Sequence, residues 1–299
     1  MRYLAIVASL VILGCTSSQV ITQANSEKLV NDVEFSTLPA ANTGKCPDRI
    51  VEDTLKFWKS AVILANNCVV AKNWNQVESV GHKMSENFPH SPWGFYYLSV
   101  VAEHQNDSSR ALWLLEKAQE LDKSIALIPY QKGRVLLRIA DHENARKEFA
   151  RALSLDDKLP DAYLYLGQFA LRDQNYKLAD KYFQGTLKYQ AFNREALFGS
   201  AQCKVQMGDA KMALDYAERI ISSNKKDVEV RLFKAFVLES YLQNLDEALA
   251  EYRHIYAMSL SQRKVIIGDE ELSNKIKSIE VLLKNKKQNV ARHVSGVKK

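Results

Sequence analysis

A single interval of 34 residues organises most of this 299-residue chain. Alanines stand at Ala111, Ala145, Ala179 and Ala213, each 34 from the next. A second small residue keeps the same step at Ser99, Gly133, Gly167, Ala201 and Ala235. Four residues beyond each alanine comes Leu115, Phe149, Phe183 or Ala217. A fixed period of this length, with small residues at two set positions, specifies pairs of helices stacked in an array. The small side chains are required because the two helices of a unit cross closely, and a larger group would push the backbones apart. Gly and Pro are correspondingly sparse, at 11 and 6, as an all-helical chain requires. The expected fold class is all-α.

The stretch from Pro160 to Asn193, PDAYLYLGQFALRDQNYKLADKYFQGTLKYQAFN, resembles the tetratricopeptide repeat (TPR) family, and the resemblance extends over residues 58–262. It implies a TPR solenoid, a right-handed superhelix of about six helix-turn-helix units with a concave groove. Pro47 and Asp48 suit a helix start before IVEDTLKFWKSAVILANN. The first unit departs from the family pattern at Val77 and Gly81, as a terminal repeat does when one face must meet water. The sixth unit slips by one residue, since Ala248, Tyr252 and Ile255 lie 35 beyond their counterparts. The turn near Gln243 and Asn244 is the place for the extra residue. Beyond the array, Ile276, Ile279, Leu282 and Leu283 form an amphipathic stripe at helical spacing, a cap for the last apolar face.

The chain opens MRYLAIVASLVILGC, one cation before an apolar run too short to span a bilayer. Ile12-Leu13-Gly14-Cys15 is similar to the lipobox of bacterial lipoproteins, which implies cleavage before Cys15 and lipidation (diacylglycerol plus a fatty acyl chain such as palmitate) of that cysteine. Several chains would anchor it firmly, at about 0.8 kcal/mol per buried methylene. Thr16 follows, not an inner-membrane-retaining aspartate, so the resemblance favours the outer membrane facing the periplasm. Residues 16–45 are polar without sustained period and read as a tether, with a reach of roughly 100 Å at about 3.4 Å per residue. The resulting division is signal peptide 1–14, lipidated cysteine and tether 15–45, repeat array 46–262, capping helix 263–288 and basic disordered tail 289–299. The net charge of +6 belongs to the last stretch, because residues 284–299 hold six Lys or Arg and no acid. That tail could meet anionic headgroups, dock an acidic protein patch or stay solvated.

No constellation for catalysis is present: the sequence holds no Gly-rich phosphate loop, HExxH, GxSxG or CxxC. Its six His are scattered, and no metal or cofactor is expected; the chain reads as a non-enzyme. Four cysteines remain to be placed. With Cys15 assigned to lipid, Cys46 and Cys68 could form a disulfide worth about 3 kcal/mol in an oxidising compartment, or all three others could be buried thiols. Cys203 falls on a core-type position.

In the TPR family the first helix of each repeat lines the groove. Carried over by register, the lining comprises Tyr96, Tyr130, Arg134, Arg138, Gln168, Arg172, Phe198, Gln202 and Phe236. This implies an apolar, aromatic groove with a basic stretch from Arg134 through Arg138 to Arg172. Aromatics and Arg anchor interfaces well, so an extended or helical peptide with apolar side chains and an acid or terminal carboxylate is the expected ligand. The Lys/Asn carboxylate clamp of chaperone-binding members does not carry over. Some of the aromatics, Tyr96 and Tyr130 above all, could instead pack between repeats. The functional expectation is a lipoprotein scaffold that binds a protein partner of the envelope through its groove, without nucleic acid, in assembly of a pilus, secretin or motility complex. The alternative is a regulator or tether of peptidoglycan enzymes, or a binder of wall fragments.

Overall fold

The computed structural model describes residues 45–47, 52–258 and 269–296, with side chains of the last helix as far as Asn289. The signal peptide, Cys15, nearly all of the tether and the final three residues lie outside the described residues. Among the described residues there are thirteen α-helices and no strand. They come in pairs: α1 (Trp58–Val70) with α2 (Trp74–Asn87), α3 (Trp93–His104) with α4 (Ser108–Leu121), and α5 (Leu127–Arg138) with α6 (His142–Leu155). Next come α7 (Pro160–Arg172) with α8 (Tyr176–Tyr189), α9 (Arg194–Gln206) with α10 (Ala210–Ser223), and α11 (Val228–Ser240) with α12 (Leu245–Ala257). A single long helix, α13 (Asp269–Gly296), follows. The chain forms two compact units, one up to Lys158 holding α1–α6 and one from Leu159 holding α7–α13. No described helix is long and apolar enough to cross a membrane.

One turn recurs inside every pair. Lys72, Asn106, Ala140, Gln174 and Gln243 take φ values between +52° and +61°, and Gly208 takes +84°. The residue that follows each is Asn or Asp, and its side chain caps the next helix: Asp107 accepts from the Arg110 N–H at 2.9 Å and Asp209 from Met212 at 3.1 Å. Backward bonds close the preceding helix, as where the Asp107 N–H reaches the Ala102 carbonyl at 2.9 Å. Left-handed residue and Asx cap together satisfy the carbonyls and N–H groups that two helix ends would otherwise leave orphaned. In the sixth unit the Asn244 N–H reaches back to the Leu238 carbonyl, six residues rather than five. That is where the one-residue insertion is absorbed.

The 34-residue period is a packing rule. Ala111, Ala145, Ala179 and Ala213 are fully buried, each where its helix crosses the other of the pair. In the first unit a Cβ at Gly133 would lie 2.8 Å from the Phe149 ring; in the second, one at Gly167 would lie 2.7 Å from Phe183. Gly199 on α9 presses on the opposite edge of Phe183. The ring is thus seated between two glycines, where any larger side chain would displace it.

At the start of the array a disulfide joins Cys46 to Cys68. This bond excludes one straight helix across the segment, because 22 helical residues would separate the two Cα atoms by roughly 33 Å; they are 4.6 Å apart. The chain instead forms a 3-10 turn at Glu52–Lys56, extends at Phe57 and enters α1 at Trp58. At the other end α13 continues to Gly296, eight residues past the boundary expected at 288. No Pro or Gly interrupts residues 269–295, acidic Asp269, Glu270 and Glu271 occupy the first turn, and cations cluster toward the end. Each feature favours helix, so the supposed disordered tail is helical through most of its length.

Truncating Phe183 to Ala should cost about 3–5 kcal/mol in urea unfolding, because the ring is fully enclosed and the two flanking glycines have no side chain to fill the space.

Candidate partner-binding face

The residues expected to line a groove sit on first helices of pairs, and the two units treat them differently. In the first unit Tyr96 is a core residue, 7 % exposed. Its ring meets Trp93 edge-on at 5.5 Å and Tyr97 at 5.3 Å. Burial pushes its hydroxyl up to about 12, with Arg134 pulling it down and Glu103 up. Beside it, Tyr97 donates to Asn66 Oδ1 at 2.7 Å. Tyr130 is half-buried against Phe149, ring centroids 5.9 Å apart.

The expected basic stretch is corrected by Glu103. This buried carboxylate on α3 receives Gln131 Nε2 at 2.6 Å and Arg134 Nη2 at 3.2 Å, and Arg138 Nη2 stands 3.5 Å away. Arg138 also donates to Asn106 Oδ1 at 2.7 Å. Two guanidinium groups therefore compensate one buried acid, and removing that acid would leave them crowded without a counter-charge. Arg134 and Arg138 are here internal ties between α3 and α5. Reading each repeat position on its own overlooks this, yet the signal was present, since Glu103 sits one repeat back and one helical turn along from Arg134.

In the second unit the corresponding face is more open. Gln168 and Arg172 on α7 are exposed, and the Arg172 guanidinium lies 5.3 Å from the Phe169 ring. On α9, Phe198 is half-buried, edge-on to Phe233 of α11 at 5.3 Å, with the Arg194 guanidinium 5.7 Å from its ring. Gln202 is half-buried. Phe236 on α11 is 47 % exposed and meets the exposed Tyr241 edge-on at 5.8 Å. Leu164 and Leu232 are the half-buried apolar residues between. Helix α7 packs on α9, and α9 joins α11 through the Phe198–Phe233 contact, so these side chains form one surface.

Charges in this unit are largely paired. Arg194 binds Asp227 at 2.6 Å and Glu229 at 2.7 Å, and the Asp227 bond raises its affinity for the proton still further. Elsewhere Glu251 joins Arg231 and Lys234, each at 2.7 Å, and Lys234 also pairs with Glu218. Burial pushes the Glu251 carboxyl up, but Lys234 and Arg231 outweigh it and hold it below its ordinary value. Asp227 is lowered likewise, burial being outweighed by Arg194 and the Val230 N–H. Lys204 binds Asp180 at 2.6 Å. Burial pushes the free, buried Cys203 thiol up to about 12, an inert state. No cluster of three or more His, Cys, Asp or Glu suited to a metal occurs among the described residues.

A helical array with this small-residue period and this turn is a TPR-like repeat protein. No protein-family model matches the chain. It is 24 % identical over 197 residues to anaphase-promoting complex subunit 3 of Schizosaccharomyces pombe, across 64 % of this chain and 30 % of that protein; the chain thus spans under a third of the relative's length. Solved structures with the same fold include YrrB, described as a TPR protein with an unusual peptide-binding site, at TM-score 0.56 and 21 % identity, covering 66 % of this chain and 97 % of that one. Pseudomonas aeruginosa PilF aligns at TM-score 0.58 and 17 % identity, over 71 % and 97 %.

Because Glu251 and Asp227 titrate lower in the folded chain than when unfolded, the unfolded chain binds more protons around pH 4 and stability rises with pH there. Their contribution is present above about pH 4 and is lost as the pH falls through the lower folded values. The urea midpoint should drop between pH 6 and pH 3, and Glu251→Gln should lower the midpoint at pH 6 while flattening that dependence.

Proposed function

We propose that this protein is a non-enzymatic, lipid-anchored adaptor facing the periplasm, which captures a protein partner of a bacterial envelope machine such as a pilus, secretin or motility complex. The observation that carries the capturing role is the exposed first-helix surface of the second unit, where Phe236, Gln168 and Arg172 stand open although their helices are otherwise well buried. Aromatic side chains and Arg are the residue types that dominate binding energy at interfaces. The likeness to YrrB, described as having a peptide-binding site, supports a peptide as the captured element. Two features support the envelope: the Ile12–Cys15 motif and the Cys46–Cys68 disulfide, a bond that persists in oxidising compartments. An anchor on a long tether raises the local concentration of the array at the membrane, so a weak contact becomes effective.

The test has two arms. Metabolic labelling with palmitate should mark the wild-type chain and fail with Cys15→Ser. A partner recovered from detergent-solubilised source cells should be lost with Arg172→Ala/Phe236→Ala, whose exposed positions leave the thermal midpoint unchanged. Equal recovery by both proteins would remove the capturing face from α7–α11, and stabilisation by soluble wall fragments with no protein partner would favour the wall-binding alternative.

A further inference from the structure

The last helix overhangs the helix it caps. Leu272, Ile276, Ile279 and Leu283 of α13 pack with α12 in one apolar cluster. The two helices run antiparallel: Arg253 meets Glu280 at 2.6 Å, and one turn further on Leu249 and Leu283 line one groove. Helix α12 begins at Leu245, so it runs out near Lys287, while α13 continues to Gly296, about 13 Å further. In the sequence the apolar spacing does not stop at that edge. Val290 and Val294 stand seven and eleven residues beyond Leu283, which is the same helical face.

Charge changes over the same stretch. Glu280 is the last acid of the chain, and six Lys or Arg follow it. Lys284, Lys286 and Lys287 are exposed, and none of them meets a carboxylate among the described residues. Lys286 and Lys287, three and four residues beyond Leu283, fall on either side of its stripe. The groove at this edge, about 440 Å³ in volume, is lined by Leu249, Leu283, Glu280, Lys284, Lys287 and Gln288. Because Arg253 engages Glu280, the free charge around it is positive. Tyr241, 44 % exposed, stands in the uncharged turn just before α12.

An occupant has to match both the apolar residues and the cations beside them. A second copy would set like charge against like, since nothing after Glu280 is acidic. An acidic peptide would pair with the lysines and leave the apolar residues uncovered. An anionic phospholipid surface supplies phosphates and hydrocarbon together, and Lys-rich helices with one apolar stripe settle there, as Tyr does at the interface. We propose that the overhanging end of α13 docks on the headgroup layer of an anionic bilayer, with Lys284, Lys286 and Lys287 at the phosphates. Valine buries little hydrocarbon, so charge governs the contact and salt weakens it. This contact is separate from the capturing face and from any anchor at Cys15.

Vesicle co-sedimentation tests it with the chain from Thr16 onward, which lacks the apolar start and Cys15 but keeps every described residue. Vesicles of equal parts phosphatidylglycerol and phosphatidylcholine should bind it about tenfold or more tighter than phosphatidylcholine alone, and high salt should release it. Lys284→Ala/Lys286→Ala/Lys287→Ala should weaken binding about a hundredfold, at about fivefold per cation, with unaltered thermal unfolding. Val290→Ser/Val294→Ser should weaken it less and leave the salt dependence in place. Failure to bind anionic vesicles, equal binding to neutral ones, or indifference to the lysine triple variant would overturn the inference. Saturable binding of fluorescein-labelled decaglutamate without vesicle binding would overturn it too, in favour of an acidic protein.

Discussion

The structure depends on a steric relation between a ring and the absence of a side chain. Phe149 lies against Gly133, and Phe183 lies between Gly167 and Gly199. In each case an aromatic on a second helix occupies space that a Cβ on a first helix would fill. This contact sets how closely the two helices approach in those two pairs, and Ser99 with Leu115 and Ala201 with Ala217 hold the same positions one period to either side. Because interiors pack at crystal-like density, the arrangement tolerates little variation in volume at these sites. The alanines fully buried at the crossings enforce the same closeness from the other helix.

The turn between paired helices obeys a second rule. A left-handed residue followed by Asn or Asp appears six times, and only at Gly208 does glycine relieve the backbone. Non-glycine residues in this conformation cost about 1–2 kcal/mol each, a strain offset by caps on both helices. Tight, doubly capped turns hold the first helices at fixed rotation, which is what keeps side chains one period apart on one surface. The row of Gln168, Phe198, Gln202 and Phe236 follows directly from that regularity.

Much of this was legible in the chain. The period, the paired small residues and the slip before Ala248 are local patterns, and local steric rules convert them into helices and turns. Pairings between repeats were harder to read. Arg134 and Arg138 look like free cations by position, and only the convergence of α3 and α5 on Glu103 shows them engaged. Tyr96 occupies a groove-type position, but Trp93 and Tyr97 crowd it into the core. The break at Phe57 depends on a covalent bond between distant cysteines, and the length of α13 on a balance of propensity and terminal charge that no apolar stripe reports.

Site-specific photo-crosslinking in cells addresses the central claim most directly. A benzophenone side chain would be placed at Gln202 or Phe236 on the first helices, and at Lys181 or Lys211 on the exposed side of α8 and α10. The account predicts one common adduct from Gln202 and Phe236, absent from Lys181 and Lys211. Adducts arising only from the α8 and α10 positions would contradict it.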